Sequence, residues 1–398
     1  MRSFFRLLYF ADIRFPLERA NGIQTMETCY ALAERGHVVS LVVKPDTHRP
    51  PRDPFEFYGL TRHKGLIVER ANTPAGAGFL QRVGYLSFVF GRAFGKTRAD
   101  AIITRDLGVA SALLNMPAGM RAPVVYESHG YAPDVAAALP ELVSTATAPG
   151  PSKLKRLAER EAAVWRHADG YVTITQGLAD ELARRFGARE RVAVVPDGAR
   201  LPNREPGPVP PDPVVGYAGH LYAWKGVDVL LRAIAQVPGA RGLIVGGHEQ
   251  ESDLARVRAL AAELGIADRV TFTGHVQPAD VAARLAEARV LVLPNPASAI
   301  STRFTSPLKL FEYMAARRPI VATDLPAIGE VLRGDEHALL VEPGNVNAMA
   351  GAIRRLLEDS ALAERLACAA YEAAPQYTWA RRAERLETLL SQVASSRA

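Results

Sequence analysis

Short apolar runs that can form buried strands alternate with helical patterns along most of this 398-residue chain. The runs that predict strands lie at 4–10, 38–43, 101–104, 123–126, 170–175, 192–195, 214–217, 241–245, 270–272, 290–293 and 320–322, and among the helices between them are 23–35 and 152–167. Strands that are apolar on both faces and alternate with helices are typical of parallel sheets covered by helices on both sides. The chain is therefore predicted to belong to the α/β class.

A proline-rich stretch divides this pattern into two halves. Six prolines lie between Pro202 and Pro213, a composition typical of a semi-rigid linker. We therefore predict an N-terminal Rossmann-like domain at 1–205, a second at 206–375, and a C-terminal helix at 376–398. Doubly wound sheets bind ligands at the carboxyl ends of their strands, so a cleft between the two facing domains is the expected site.

Composition excludes several classes of protein. No apolar run reaches 18 residues, which argues against a membrane-spanning helix. The opening MRSFFRLLYFAD does not resemble a signal peptide, because Arg6 interrupts its apolar stretch, Asp12 closes it, and no small-residue cleavage site follows. Cys29 and Cys368 are far apart in sequence and predict no disulfide framework. A cytoplasmic protein is expected.

The basic excess belongs to the N-terminal half of the chain. Residues 1–205 contain 28 of the 48 Lys and Arg residues but 21 of the 42 Asp and Glu residues. Within this half, GFLQRVGYLSFVFGRAFGKTR is amphipathic at helical spacing and carries Arg82, Arg92, Lys96 and Arg98 at its margins. Two interpretations remain open: peripheral binding to an anionic membrane surface, or a core helix with a solvated basic face. Nucleic acid is not an expected partner, since the aromatic residues are not interleaved with basic ones.

Motifs for phosphate loops, dinucleotides and metals are absent or incomplete. GRAFGKT, at 91–97, has three residues between its glycines where a P-loop requires four, and it follows a helical pattern. GAGFLQ lacks the third glycine of a dinucleotide fingerprint. No metal-binding spacing of His or Cys occurs, and no Asp-x-Asp pair could hold Mg²⁺ on a diphosphate. A bound diphosphate would therefore be neutralised by protein cations and amides without a metal.

A strand-to-helix transition in VVGYAGHLYAWKGVDVLLRAI suggests an anion site. Gly219 allows close approach of a ligand to the backbone, and His220 and Lys225 lie in the loop. Lys225 immediately precedes a predicted helix, whose free amides favour anions. Further along, VTFTGHV places Val276 just beyond a strand end, where main-chain groups could contact a base.

A carboxylate in an otherwise apolar helix raises a second question. In SPLKLFEYMAARRP, Ser306 is predicted to be the N-cap and Pro307 the first helical residue. Glu312 lies in the middle of this helix and would be costly to bury without a partner. Its partner is either a cation of the protein, from Lys309, Arg303 or Arg317, or the hydroxyls of a ligand.

Three of these segments together resemble a known family. GHLYAWKGVDVLL, ARLAEARVLVLPN and SPLKLFEYMAARRPIVATDLPAIGEVL are similar to motifs of retaining glycosyltransferases of family 4, which have two Rossmann-like domains (the GT-B fold). The resemblance is strong over 214–340 and looser elsewhere, and YTWARRAERL resembles the last helix, which crosses back to the first domain in this fold. It implies an α/β protein of GT-B architecture that needs no metal and takes a nucleotide diphosphate sugar as its donor.

The resemblance also implies roles for residues of the second half. Glu312 matches the glutamate that accepts hydrogen bonds from the ribose, and Lys225 matches the lysine that neutralises the leaving diphosphate. Val276 matches the backbone contact to the base. Ser306 and Leu308 match the loop and helix start that bind the β-phosphate.

The first half carries two further implied site residues. VYESHG places His129 where such enzymes have a histidine near the reacting sugar. ANGIQTMETCYALAERGHVV resembles a glycine-opened first helix, with Gly22 beside the donor phosphates.

Two positions depart from the family pattern. The loop arginine five residues before the lysine is His220 here, and a histidine is cationic only part of the time near neutral pH. The glutamate eight residues before Glu312, which normally contacts the donor sugar, is Phe304. Thr305, Ser306 and the neighbouring Arg303 are the candidates to replace it.

These observations predict transfer of a sugar to an acceptor hydroxyl with retention of configuration. The acceptor is expected to be a saccharide or a lipid-linked molecule in polysaccharide, lipopolysaccharide or glycolipid assembly. Two alternatives remain: a sugar-nucleotide epimerase on the same fold, and a non-catalytic subunit that binds nucleotide sugars. The sugar, the base, the acceptor and the oligomeric state are left open.

Overall fold

The computed structural model describes residues 4–73, 78–95, 99–142, 147–248, 251–298, 301–302 and 304–395. The chain divides into two compact units. Unit 1 consists of Met1–Ala136, Pro149–Pro196 and Trp379–Ala398, and unit 2 consists of Ala137–Ala148 and Asp197–Thr378. The main boundary thus falls at 196/197, where the sequence suggested 205/206.

Unit 1 is built on seven parallel strands. They are β1 (Arg6–Arg14), β2 (Val38–Lys44), β3 (Leu66–Arg70), β4 (Ala101–Thr104), β5 (Val124–Ser128), β6 (Gly170–Thr173) and β7 (Val192–Val194). The helices between them are α1 (Ala20–Glu34), α2 (Pro54–Phe57), α3 (Phe79–Ala93), α4 (Leu107–Leu114), α5 (Ala132–Leu142), α6 (Pro151–His167) and α7 (Gln176–Phe186). The second half of α5, from Ala137 on, belongs to unit 2. The strand order in the sheet is β3-β2-β1-β4-β5-β6-β7.

Unit 2 contains a second parallel sheet, of six strands. They are β8 (Val214–Ala218), β9 (Arg241–Val245), β10 (Val270–Phe272), β11 (Val290–Leu293), β12 (Ile320–Thr323) and β13 (Leu339–Val341). Its helices are α8 (Val227–Ala235), α9 (Ser252–Glu263), α10 (Val281–Ala286), α11 (Leu308–Ala315), α12 (Pro326–Gly329), α13 (Val346–Glu358) and α14 (Ser360–Ala373). The sheet order is β10-β9-β8-β11-β12-β13. The last helix, α15 (Trp379–Ser395), belongs to unit 1.

Burial on both faces explains why the strands are apolar throughout. Strands β4, β5, β6, β11 and β12 are buried at every position. In unit 2, Val215 and Val292 face a core built with α8 and α13, whereas Leu291 and Leu293 face one built with α11. Such strands have no polar face to expose, which agrees with helix-covered parallel sheets. The prediction of two doubly wound Rossmann-like sheets is confirmed.

Side-chain caps fix the starts of several helices. Asp106, Thr175, Asn345 and Asp359 each accept a hydrogen bond from a backbone amide of the first turn that follows. The proline-rich stretch at 202–213 forms neither helix nor strand, as expected for a linker. Strand β13, which the sequence pattern did not single out, is short and lies at the sheet edge.

Candidate active site

The strand order of each sheet reverses at one point, and polar residues gather beside it. In unit 1 the reversal lies between β1 and β4, and in unit 2 between β8 and β11. At such a point adjacent connections leave to opposite faces of the sheet, which opens a crevice at the carboxyl ends of the strands. Most candidate site residues of each unit lie on the loops and helix starts at this edge, and Glu312 lies further along, in the middle of α11.

In unit 2, glycine-rich loops lie at the carboxyl ends of the strands. Gly219 follows β8 with φ = 130°, and its amide donates a hydrogen bond to the Val245 carbonyl. Gly246 packs so tightly here that a Cβ would lie 2.3 Å from the Gly219 oxygen. Gly246 also bridges Gly274, so the loop carrying Val276 is held next to them. Val276 is half-buried and packs against the core that lies between α11 and the sheet.

Lys225 ends a short 3-10 helix, Ala223–Lys225, in the loop between β8 and α8. The next residue, Gly226, is left-handed (φ = 77°), and a Cβ there would lie 1.8 Å from the Pro294 oxygen. The half-buried Lys225 ammonium lies 3.6 Å from the centre of the Trp224 ring. Burial lowers the pKa of Lys225 to about 7. An anion bound here would restore its charge.

His220 belongs to a row of parallel aromatic rings. Its ring stacks on Tyr222 at 5.0 Å, and Tyr222 stacks on Trp224 at 6.2 Å. The His220 Nδ1 atom lies 3.9 Å from a carboxylate oxygen of Glu251. A protonated His220 therefore faces an acidic side chain of the protein, which weakens its value as a substitute for the expected arginine.

Helix α11 begins one residue later than the sequence predicted. Pro307 is the N-cap and Leu308 the first helical residue, so the prediction of Ser306 as a side-chain cap is wrong. The Ser306 hydroxyl instead accepts a hydrogen bond from the Asp197 amide at 3.0 Å. This bond leaves the first amides of α11 without a side-chain cap.

The positions next to α11 differ in exposure. Phe304 is buried, 4% exposed, at the position where the resemblance expected a glutamate. Thr305 is half-buried, Leu308 is buried, and Arg303 lies outside the described residues. Phe304 thus behaves as a core residue, whereas Thr305 is partly exposed beside the helix start.

Two of the cations proposed as partners for Glu312, Arg317 and Lys309, lie within the described residues. Arg317 pairs with Glu364 at 2.7 Å and with Glu205 at 3.4 Å. Lys309 is buried, and its ammonium lies 3.8 Å above the centre of the Tyr217 ring without a hydrogen-bond partner. Glu312 itself is half-buried.

Unit 1 presents a buried hydrogen-bond network around His129. The His129 Nε2 atom lies 2.5 Å from Glu127 Oε1, which also accepts a hydrogen bond from Gln24 at 2.6 Å. The Arg105 guanidinium donates a hydrogen bond to the side-chain oxygen of Gln24, Oε1, at 2.7 Å. These residues come from α1 and from the ends of β4 and β5, next to the strand-order reversal.

The network sets the charge state of both titratable groups. Burial and the Arg105 guanidinium lower the pKa of His129 to about 4, against the opposing effect of Glu127. The pKa of Glu127 is far below its usual range, because Arg382 and His129 outweigh the effect of its burial. Near neutral pH the pair therefore consists of a neutral imidazole and a carboxylate, and His129 can exchange hydrogen bonds with a sugar hydroxyl.

The last helix supplies a second cation, Arg382, to this network. Arg382 is 2% exposed, and one guanidinium nitrogen lies 2.7 Å from Glu127. Its other nitrogens donate to Thr28 Oγ1 on α1 and to the carbonyls of Val195 and Pro196. One side chain thus fastens α15 to α1, to the end of β7 and to the carboxylate that orients His129.

Gly22 has a structural reason to be glycine. A Cβ at this position would lie 2.2 Å from the Leu17 oxygen and 2.5 Å from the Tyr58 hydroxyl. Tyr58 in turn bonds both the amide and the carbonyl of Leu17. The bare Cα of Gly22 therefore lets the loop before α1 pack on the helix, and its contact with donor phosphates remains a prediction.

The described residues contain neither a cluster of metal ligands nor a membrane-spanning helix. No group of three or more His, Cys, Asp or Glu side chains in this part of the chain could hold a metal ion. No helix within it is long and apolar enough to cross a membrane. Cys29 and Cys368 are both free thiols.

Comparison with known proteins identifies the class. A family model for group 1 glycosyl transferases matches residues 212–359, and a model for a glycosyl transferase 4-like domain matches residues 22–198. The chain therefore belongs to the group 1 glycosyltransferases.

Individual relatives and solved structures agree with this class. The D-inositol 3-phosphate glycosyltransferase of Nocardia farcinica is 32% identical over 286 residues, which are 67% of this chain and 60% of that protein. Sucrose-phosphate synthase from Thermosynechococcus elongatus superimposes with a TM-score of 0.78 at 21% identity, over 98% of this chain and 100% of that one. Anabaena Alr3699/HepE, solved in complex with UDP and glucose, gives 0.72 at 17% identity, over 97% and 99%. These solved structures show a shared GT-B fold.

Several residues of the site were not recognised in the sequence. Glu127, Gln24 and Arg382 lie inside segments that resemble the family, but nothing in their spacing reveals that they meet. In the sequence, Lys309 stands out only as a possible partner for Glu312. A lysine in the first turn of an apolar helix was the signal that could have found it.

Proposed function

We propose that this protein is a retaining glycosyltransferase that moves a sugar from a nucleotide diphosphate sugar to an acceptor hydroxyl without a metal ion. The observation that carries the proposal is Lys225, a half-buried ammonium with a depressed pKa at the strand-order reversal of unit 2. It follows a glycine loop and precedes a helix, which is an arrangement suited to a diphosphate.

Unit 2 is the proposed donor-binding unit. Glu312 would accept hydrogen bonds from the ribose, and the backbone near Val276 would contact the base. Gly219 and the uncapped start of α11 near Ser306 and Leu308 would surround the phosphates. The structural neighbour Alr3699/HepE was solved with UDP bound, which makes UDP the first nucleotide to test on this protein.

Unit 1 is the proposed acceptor-binding unit, with His129 as its contact to the transferred sugar. The neutral imidazole is oriented by Glu127, which leaves its other nitrogen for a hydroxyl. As the bond between the anomeric carbon and the diphosphate oxygen breaks, charge accumulates on the leaving group. Lys225 and helix amides would stabilise that charge, the contribution that usually dominates such catalysis.

The test begins with ligand binding and proceeds to product analysis. Thermal unfolding is measured with UDP, GDP and ADP, because a ligand that binds only the native state raises the melting temperature. The matching nucleotide sugar is then supplied with acceptor extracts. Lys225→Ala is expected to reduce turnover by about 10²–10³-fold, the usual effect of losing one such donor.

Other outcomes would support the alternatives. Conversion of the nucleotide sugar without any acceptor would identify an epimerase. Binding of a nucleotide with no transfer to any acceptor would identify a non-catalytic subunit. Transfer at the parental rate by Lys225→Ala would refute the site assignment.

We also propose that α3 places the protein peripherally on an anionic membrane that carries a lipid-linked acceptor, at the cytoplasmic face. Phe79, Leu80 and Val83 share one side of the helix and are 80%, 72% and 42% exposed. Tyr85 and Val89, on the other side, are buried. Large exposed apolar side chains at a helix start are suited to insertion at the headgroup boundary.

The basic residues of α3 contribute less to this proposal than the sequence suggested. Arg82 pairs with Asp12 and Asp106, and Arg92 pairs with Glu69. Lys96 and Arg98 lie outside the described residues. Insertion of the apolar side chains should therefore matter more than attraction between the arginines and anionic lipids.

Co-sedimentation with vesicles tests this membrane proposal. The double variant Phe79→Ser/Leu80→Ser is expected to lose most binding to vesicles of mixed phosphatidylcholine and phosphatidylglycerol at low salt. The control is Met120→Ser, which removes another exposed apolar side chain elsewhere in unit 1. Absence of binding by the parental protein even at low salt would dismiss the proposal.

A further inference from the structure

Lys309 is a buried ammonium for which the protein provides no hydrogen-bond acceptor. The residue is 7% exposed in the first turn of α11, and its Nζ atom has no hydrogen-bond partner. Its nearest aromatic support is the Tyr217 ring, whose centre lies 3.8 Å away. A ring face attracts a cation, but a buried ammonium needs acceptors for its three protons. Three unused donors in a buried position are costly unless a ligand completes them.

The electrostatic surroundings make the position less favourable still. The start of a helix carries a partial positive charge, and Lys309 lies within the first turn of α11. Lys225 lies near enough to lower the pKa of Lys309, in addition to the larger effect of burial. Glu312, one turn further along, opposes both effects but does not accept a hydrogen bond from Nζ. The ammonium groups of Lys225 and Lys309 and the start of α11 therefore act together at this position, and the Glu312 carboxylate opposes them.

The neighbouring backbone leaves space beside this ammonium. Gly219 has no side chain, and a Cβ built there would lie 3.4 Å from Lys309 Nζ. At the same sheet edge, Asn295 follows β11 and is fully buried, and neither its amide oxygen nor its amide nitrogen has a hydrogen-bond partner. Unpaired donors and acceptors therefore collect where β8 and β11 end.

The choice of lysine is itself unusual in this half of the chain. Beyond Lys155 the sequence contains many arginines but two lysines, Lys225 and Lys309. Arginine serves the ordinary ion pairs of unit 2, for example Arg256 with Asp228. Lysine is a compact point charge that suits a phosphate oxygen, whereas arginine would need a wider, planar space. The two lysines are also the pair whose charges repel each other.

We propose that Lys309 is a second diphosphate-binding ammonium, which acts with Lys225 and takes the place of the arginine expected at position 220. This inference rests on the proposed donor site and adds a residue to it. When the bond from the anomeric carbon to the diphosphate oxygen breaks, its electron pair passes to that oxygen. Lys309 donates a hydrogen bond to the leaving diphosphate and keeps its own proton throughout. A positive charge on His220, which faces Glu251, is then not needed for diphosphate binding.

The test compares two neutral variants with a matched control. Lys309→Met and Lys309→Gln remove the charge, and Arg232→Met removes one exposed positive charge from α8 of the same unit. Isothermal titration measures binding of UDP, uridine and inorganic pyrophosphate to the full-length chain. We expect both Lys309 variants to bind UDP and pyrophosphate about 10- to 100-fold more weakly, as for the loss of a hydrogen bond to a charged group. Uridine binding should change by less than twofold, and Arg232→Met should behave like the parent.

Thermal unfolding supplies a readout that a structural role would not give. Removal of an uncompensated buried charge should raise the melting temperature of the ligand-free protein by about 2 °C or more in Lys309→Met. The same variant should gain less than the parent when UDP is added. A lysine that merely supports the fold would show the reverse, with a lower melting temperature and unchanged affinity.

The outcomes separate this inference from the proposed function. If the parent binds UDP and both Lys309 variants bind it equally well, Lys309 has no role and the donor site stands. If the parent binds none of UDP, GDP, ADP or pyrophosphate, the donor site itself fails and Lys309 fails with it.

Discussion

At the scale of single residues, the proposed donor site contains two lysines, Lys225 and Lys309, whose ammonium groups could bind an anion. Lys225 and Lys309 both have lowered pKa values, and burial is the main cause for each. In the ligand-free protein the charged forms of these lysines are costly, and a bound diphosphate would stabilise the protonated form of both. Binding is therefore coupled to protonation.

This coupling predicts how UDP affinity depends on pH. The pKa of Lys225 is about 7 in the ligand-free protein, and a bound diphosphate should raise it. Affinity should then fall between pH 7 and 9, and titration in buffers of different ionisation enthalpy should show proton uptake on binding. The stability of the ligand-free protein should move the other way, because the unfolded chain binds more protons than the folded one above pH 7. Constant affinity across this range would contradict the assigned titration.

At the scale of elements, the C-terminal helix α15 connects several parts of unit 1 through one buried side chain. Its residue Arg382 reaches α1, the end of β7 and Glu127, all through one buried guanidinium. Glu127 is completely buried, so its charge depends on this partner. The helix thereby contributes to the orientation of His129 through Glu127.

Replacement of this arginine should be far more damaging than replacement of its neighbour. Arg382→Met leaves the Glu127 carboxylate buried without its main counter-charge, which typically costs about 3–5 kcal/mol. Arg381→Met removes an exposed arginine that pairs with Glu384, and its urea midpoint should stay close to that of the parent. Urea unfolding followed by circular dichroism checks both. Similar midpoints for the two variants would show that the buried pair is not a fastening point.

At the scale of the whole molecule, the candidate groups are shared between two separately built units. Unit 2 contains both lysines and Glu312, whereas unit 1 contains His129 with Glu127 and Gln24. Each set lies at the strand-order reversal of its own sheet. The proposed function assigns donor binding to one set and contact with the transferred sugar to the other.

This division predicts different phenotypes for the two sets. His129→Ala should lower turnover by about tenfold or more yet leave UDP affinity within about twofold of the parent, since its network lies in unit 1. Lys225→Met should weaken UDP binding as well as turnover. Calorimetry with UDP and a transfer assay on the same preparations measure both quantities. A large loss of UDP affinity in His129→Ala would contradict the assignment of donor binding to unit 2 alone.

The strand pattern and the local motifs were determined by sequence alone. Short apolar runs without a polar face are typical of strands in a helix-covered parallel sheet, so the α/β class and most strand positions followed from the sequence. The segments around Lys225 and Glu312 were recognisable for the same local reason, since a charge beside a strand end or inside an apolar helix stands out from its neighbours.

Only the tertiary structure decided which distant residues share an environment. Arg382 and Glu127 are 255 positions apart in the printed sequence, and no periodicity relates them. The α11 cap failed as a prediction because Ser306 found a tertiary partner in the Asp197 amide. Lys309 looked like the natural partner of Glu312, yet packing turned its ammonium onto Tyr217. Sequence patterns report which face of an element is buried, whereas the partner of a buried charge is fixed by how the elements pack.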